Sequence, residues 1–414
     1  MKRTLTWAIL LIALTSTTVG LYAQVKIGDT TPPVAGAILE LSQGATTSKG
    51  LGMPCVELTN LKPTTPTELS ASIGGTGNWA LNDHTALAVY NTKVDRCAQP
   101  EPIYEGLYVF DGAEWQFLGK KPEPSPDVYT FTDARDNEIY MARTFGAAGD
   151  WMLENLRYIP TAADYTHTTG YSGKCWCYPM SGGGLGGIIY NPTTAAAEWD
   201  TRAGILYNWM GATNGENTST INQGQFSASP SAPGNDEVET KFETSPGAKD
   251  GKIQGICPAG WHLPSDRELN ELEKEIYNNP TIYSQYTASD AILPVNWDKS
   301  WESGFSSSSP AYGYRGAGTA NGHGLAMLSE CKLLGSTDAT GGKSLSALQG
   351  GFELYLSGYA FGRTYSYGTS SMLWSASSIN NQDAWDRGFI SSGAEVERYN
   401  PSRRSLFSVR CKKD

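Results

Sequence analysis

Downstream of Pro264 the apolar residues Leu269, Leu272 and Ile276 recur at spacings of three and four, which gathers them on one face of a helix. Asp266, Glu271, Lys274 and Glu275 are expected to meet solvent. Ser265 and Glu268 make a capping box at its start, each satisfying a backbone donor of the first turn, and Asn278-Asn279-Pro280 ends it. Elsewhere the period is two. Leu107 and Val109, then Trp115 and Phe117, alternate about Asp111-Gly112, the signal of a two-residue hairpin. The stretches Gly351–Tyr355 and Leu406–Arg410 read as short strands. From Gly358 to Gly368 aromatic and small residues alternate, as in a half-buried strand or a binding ribbon. Ser181–Gly187 and Asn214–Asp250 carry no periodic apolar pattern and read as surface loops. The glycine run inside the first lacks the Lys-Ser/Thr and following helix of a phosphate cradle.

The start of the chain has a different pattern. Lys2 and Arg3 precede an apolar run from Leu5 to Leu14, and Leu21-Tyr22-Ala23 offers small-residue cleavage before Gln24, so residues 1–23 read as a secretory signal. The run is shorter than the roughly 20 residues a spanning helix needs. No cysteine follows the cleavage site, so a lipid anchor is not expected. The formal charge is −11, and losing Lys2 and Arg3 with the signal gives −11 − 2 = −13, which disfavours nucleic acid as a partner. A length of 414 residues predicts two or three domains. Lys120-Lys121-Pro122-Glu123-Pro124-Ser125-Pro126 has the alternating prolines of an extended linker, dividing a β-rich region (24–121) from a larger domain (127–414) across a linker at 122–126.

All seven cysteines follow the signal, and an oxidising compartment favours disulfides. Seven is odd, so at least one is unpaired or bonded to another chain. Cys55 with Cys97 is expected as a self-contained bridge in the N-terminal region. Cys175-Trp176-Cys177 is too tight to close on itself without strain, so both thiols are expected to reach other partners. A zinc or redox role for that pair, with His167, is the minor alternative.

Several segments share a recognisable order. Phe131-Thr132-Asp133-Ala134-Arg135-Asp136-Asn137-Glu138-Ile139-Tyr140 leads to Trp151-Met152-Leu153-Glu154-Asn155-Leu156, then to Gly204-Ile205-Leu206-Tyr207-Asn208-Trp209. Cys257-Pro258-Ala259-Gly260-Trp261-His262-Leu263-Pro264 follows, and Leu373-Trp374-Ser375-Ala376-Ser377-Ser378 and Val409-Arg410-Cys411 close the series. This resembles the Fibrobacter succinogenes major paralogous domain of exported Bacteroidetes-type proteins. The resemblance implies an α+β, C-type-lectin-like domain with few helices, short strands and long loops, related to the formylglycine-generating-enzyme fold. It also implies a Cys257–Cys411 disulfide tying a cysteine near a helix to the last strand. Ahead of the linker, Val25–Pro33, Gly36–Ser42, Thr47–Pro54, Leu87–Thr92 and Gly106–Gly119 resemble head segments of exported proteins patterned like tail-fibre repeats. Cys55 stands where that pattern usually has arginine, and a segment holding Cys97 interrupts it.

Candidate chemistry is sparse. His262 is expected to be structural, its imidazole bonding backbone near the turn. Trp151, Trp209, Trp261, Trp374 and Trp385 are expected in the core. The candidate binding residues are loop aromatics: Tyr312, Tyr314, Tyr359, Phe361, Tyr365 and Tyr367, since tyrosine is rigid, amphipathic and common at interfaces. Calcium-dependent sugar binding needs converging carboxylates and amides. The tripeptides that lectins use, of the Glu-Pro-Asn and Trp-Asn-Asp kinds, do not occur, and Asn380-Asn381-Gln382-Asp383 reads as a turn. No catalytic residue, metal or other cofactor is expected. The formylglycine-generating alternative needs two closely spaced reactive cysteines, whereas Cys331 and Cys411 are far apart in sequence. No nucleophile elbow or metalloprotease helix occurs. The expectation is a non-catalytic subunit, exported to the periplasm or the outer-membrane surface, that binds a cell-envelope protein or an outer-membrane complex. A carbohydrate-binding adhesin is the alternative.

Overall fold

The computed structural model describes residues 25–28, 30–34, 37–42, 50–161, 163, 165, 173–180, 190–192, 199–215, 252–292, 295–302, 312–316, 321–337, 339–391 and 393–414. The signal segment, His167, the glycine run at 182–187 and the polar stretch 216–250 lie outside them. The chain divides into two compact units, Met1–Gly119 and Lys120–Asp414.

In the first unit, β1 (Val25–Ile27) and β2 (Leu39–Leu41) pair in parallel as a two-stranded ribbon. A separate sheet has the order β3 (Cys55–Val56), β4 (Ala88–Asn91), β5 (Gly106–Phe110), β6 (Trp115–Phe117), with helix α1 (Pro66–Ser72) beginning at the capping side chain of Thr65. Its core gathers Leu58, Leu61, Leu69, Val89, Ile103, Tyr108, Phe110 and Trp115. The β5–β6 connection is a tight hairpin, but its two loop residues are Gly112 and Ala113, one place on from the expected Asp111 and Gly112: Asp111 N donates to Glu114 O at 3.0 Å. The Asp111 carboxylate accepts the backbone N–H groups of Ala113 and Glu114, both at 2.8 Å, and holds the register that opposes Phe110 to Trp115. That register buries Tyr108 and Phe110 and leaves Leu107 and Val109 only partly covered, reversing the face that the alternation suggested.

The second unit is α+β, mostly short strands with few helices. In chain order it contains β7 (Val128–Thr132), β8 (Ile139–Thr144), β9 (Asp150–Met152), β10 (Trp176–Cys177), β11 (Leu206–Asn208), α2 (Trp209–Ala212), β12 (Trp261–His262), α3 (Asp266–Asn278) and α4 (Pro280–Tyr283). There follow β13 (Gly313–Arg315), α5 (His323–Met327), β14 (Tyr359–Ala360), β15 (Thr364–Tyr365), β16 (Ser370–Ser378), β17 (Ala384–Ile390), β18 (Val396–Tyr399), β19 (Leu406–Phe407) and β20 (Lys412–Lys413). Three sheets result, with the orders β12-β20-β9-β8-β7, β13-β18-β17-β16 and β10-β11-β19-β14-β15. Gly351–Tyr355 is not a strand: only Leu354 bridges, to Leu328, and Glu353 adopts a positive φ.

The motif segments interlock through specific bonds. Trp374 Nε1 donates to Tyr207 O at 2.8 Å and Trp209 Nε1 to Ser375 O at 2.9 Å, so two buried indoles satisfy each other's strands. Met152 N donates to Cys411 O and Leu156 N to Val409 O, joining the Trp151–Leu156 motif to the terminal one. Arg410 is fully buried, donating to Asn155 Oδ1 at 2.8 Å and to the carbonyls of Phe352 and Glu353. Gly204, at φ +71°, lies where a Cβ would fall 2.5 Å from Asn155 Cβ, so the close approach requires glycine. The Cys257–Cys411 disulfide is present, with Cα atoms 5.9 Å apart. In the chain-entropy limit, closing its 154-residue separation contributes roughly 5 kcal/mol.

The remaining cysteines correct the expectation. Cys55 is free and exposed, opposite Tyr90 in the β3–β4 ladder, with its Sγ toward Met53 O. Cys97 is disulfide-bonded, so the Cys55–Cys97 bridge does not exist. Cys175 and Cys177 are free as well, buried beside Leu206, Ala360 and Leu406 and without the distant partners expected of them. Burial pushes the Cys175 thiol up to about 12 and Cys177 higher still.

Candidate functional site

The six candidate aromatics do not converge on one loop cluster. Tyr359, Phe361 and Tyr365 share the β14–β15 hairpin, which pairs through Ala360 with Leu406 of β19. Tyr359 and Tyr365 stack with centroids 5.1 Å apart and planes 13° off parallel, and the edge of Phe407 meets Tyr359 at 6.1 Å. The stack is therefore rooted in the main core, against which Tyr359 packs. Arg363 lies over the Tyr365 ring at 4.6 Å and Arg404 faces Phe361 at 5.7 Å. Phe361 is 45% exposed at the tip. Tyr367 is half-buried beyond the hairpin, its hydroxyl donating to Leu334 O at 2.9 Å.

Tyr312 and Tyr314 belong to another sheet. Tyr314 of β13 stands opposite Glu397 of β18 and is exposed, and the neighbouring carboxylate raises its phenol above the usual range. Tyr312 is half-buried, packed on Tyr399 at 4.9 Å. Tyr314, Tyr359 and Tyr365 lie on strands and the other three flank them, and of the six just Tyr314 and Phe361 are well exposed.

Behind the Tyr314 strand lies a polar cluster for which no expectation was drawn. Asp266 and Glu273, seven residues apart on α3, face Arg315 of β13, Arg387 of β17 and Arg398 of β18, and all five are buried. Arg387 Nη1 donates to Asp266 Oδ1 at 2.6 Å and Arg398 Nε to the same oxygen at 2.9 Å. Glu273 Oε1 accepts from Arg315 Nη1 at 2.9 Å and from Arg387 Nε, while His323 Nε2 lies 3.2 Å from Oε2. Burial alone would raise both carboxyls, but the guanidiniums outweigh it: Arg398 and Arg387 hold Asp266, and Arg315 and Arg387 hold Glu273, well below the carboxylate range. Asp266 is thus not the solvent-facing residue its charge suggested. The signal was in the spacing, because Asp266 and Glu273 fall on the same three-four stripe as Leu269 and Ile276. Like charges directly opposite, as Arg387 and Arg398 are, repel unless neutralised, so these acids stabilise the sheet and fix the helix against it.

His262 is buried, but it bonds carboxylates rather than backbone. Its Nδ1 lies 2.9 Å from Asp414 Oδ1 and its Nε2 3.0 Å from Glu268 Oε1, so it joins the helix cap to the terminal residues. The five tryptophans named above are all buried. Asn380 Oδ1 accepts from Gln382 N at 2.6 Å and Asp383 N at 2.8 Å, an Asx turn between β16 and β17. Among the described residues, no group of three or more His, Cys, Asp and Glu side chains is arranged to hold a metal ion. Among them, too, no helix is long and apolar enough to cross a membrane.

Comparison with known proteins agrees with this architecture. No curated protein and no solved structure matches the chain. Residues 26–130 match a phage tail like trimerisation region. The Fibrobacter succinogenes major domain matches residues 147–413, more than half of the chain, and spans the interlocked motifs and the disulfide. The chain belongs to the Fibrobacter succinogenes major domain family.

Proposed function

We propose that this protein is an exported, non-catalytic assembly subunit of the cell envelope, which trimerises through its N-terminal region and meets an envelope protein through a C-type-lectin-like second domain. The observation that carries the reading is the β1–β2 ribbon. Its register sets Val25 beside Leu39 and Ile27 beside Leu41, so four aliphatic side chains share one face, each between 43% and 57% exposed. The Lys26–Glu40 ion pair, at 2.9 Å, occupies the other. Two strands of three residues bury too little to persist alone in water, and an apolar face of this kind is stabilised by a matching face. A second and third copy of the same ribbon supply that match, in keeping with the trimerisation region found over residues 26–130. The second domain would then be displayed three times, with Tyr314 and Phe361 as its exposed aromatics.

Light scattering on the full chain tests the reading. A trimer is expected, and the double variant Ile27→Asp, Leu39→Asp is expected to run as a monomer with the thermal transition of the second domain retained. A wild-type monomer at micromolar concentration would overturn it.

A further inference from the structure

Arg363 differs from the other described arginines. Arg135 pairs with Asp133, Arg157 with Glu154 and Arg202 with Asp200, and Arg315, Arg387 and Arg398 share the buried acids. Arg403 and Arg410 donate to backbone carbonyls, and Arg143 and Arg267 face Asp127 and Glu271. Among the described residues, Arg363 is exposed and its guanidinium meets only the Tyr365 ring. In a chain of formal charge −11, it is a cation with no anionic partner among the described residues.

Its guanidinium is nonetheless directed by an aromatic ring. The guanidinium sits over Tyr365, Tyr365 stacks on Tyr359, and Tyr359 meets Phe407, so a continuous ladder runs from the core to the surface and ends in the arginine. Cation–π contact at the face leaves the N–H edge available, and that planar fork matches a carboxylate in two parallel bonds. At the hairpin tip, the Gly362 backbone N–H donates to the Tyr190 hydroxyl, which pins the turn. A side chain at Gly362 would meet nothing within 4 Å, so the surface there is open. Phe361 adds an exposed aromatic face with Arg404 behind it. The overall acidity of the chain does not forbid an anion here, because charges farther than about 8 Å are largely screened at physiological salt.

We propose that the β14–β15 hairpin binds a carboxylate-bearing sugar unit of an acidic polysaccharide, its pyranose ring against Phe361 and its carboxylate on Arg363. An acidic peptide fits less well: β15 has two residues and offers too short an edge for strand addition, whereas an exposed aromatic and an arginine fork on one hairpin turn suit a ring carrying one carboxylate. The site is independent of self-association through the ribbon.

The test is calorimetric titration of the full chain with galacturonate, glucuronate and sialic-acid oligosaccharides, with the carboxyl-reduced forms, and with oligoglutamate of equal charge. Binding of at least one acidic oligosaccharide is expected, tenfold or more weaker after carboxyl reduction. Arg363→Gln is expected to weaken it at least tenfold with the melting temperature unchanged, and Arg363→Lys to restore little, since an ammonium makes no bidentate fork. Phe361→Ala, at an exposed position, serves as a second variant with the same expected loss. Failure of all three acidic sugars, indifference to Arg363→Gln, or equal binding of oligoglutamate would each overturn the proposal.

Discussion

Three buried guanidiniums against two buried carboxylates make the second domain sensitive to any change in that cluster. Replacing Glu273 with Gln removes the negative charge that Arg315 and Arg387 share and leaves buried positive charge uncompensated. A loss of about 3–5 kcal/mol is expected, measured as a shift in the urea midpoint. The same acids give a pH dependence whose sign follows from their depressed folded-state pKa values. Their ordinary values are 3.8 for Asp266 and 4.5 for Glu273, so their contribution is complete above about pH 5 and is lost as pH falls through those values toward the depressed ones. The urea midpoint is therefore expected to fall between pH 5 and pH 3. A midpoint that holds steady across that interval would contradict the ion cluster. Residue identity alone concealed this site, since charged residues are mostly exposed, and only their place on the apolar stripe distinguishes them.

At the scale of elements, the sequence was most informative where a local signal set the structure by itself. The Ser265–Glu268 capping box is formed, with both reciprocal bonds, and the helix it starts spans Asp266–Asn278. The β5–β6 turn was legible but for its register, which an aspartate side chain bonded to the turn backbone holds one place further on. The cysteines of β10 were illegible for another reason: pairing depends on which faces of distant strands meet. Trp176 turns toward the main core while Cys175 and Cys177 turn to the opposite face of the strand, among aliphatic residues. Thiol titration with an aromatic disulfide reagent is therefore expected to find one fast thiol, Cys55, in the native chain and three after unfolding without reductant. Two fast thiols, or none slow, would show that β10 is not covered in this way.

For the whole molecule, the division into two units separates two tasks. The first unit exposes an aliphatic face, and the second has its apolar residues in large internal clusters with aromatics at a hairpin tip. The division at Gly119 lies next to the proline-rich segment, and the ordered motifs of the second unit interlock, because each supplies a bond that another motif completes. The ribbon face was harder to foresee, since three-residue strands give too few alternations to declare a buried side. If the ribbon gathers three copies, one acidic polysaccharide would meet three equivalent sites, and monomer variants would lose avidity while keeping the affinity of a single site.

The placement of β20 has one further consequence. Lys412 and Lys413 insert between β12 and β9, and Cys411 beside them closes the disulfide to Cys257. A polypeptide emerging N-terminus first therefore carries an open central slot in that sheet until nearly three hundred residues of the domain have been delivered. Completion of the sheet is tied to the arrival of β20, so a chain made N-terminus first cannot close this sheet or its disulfide until that strand is present.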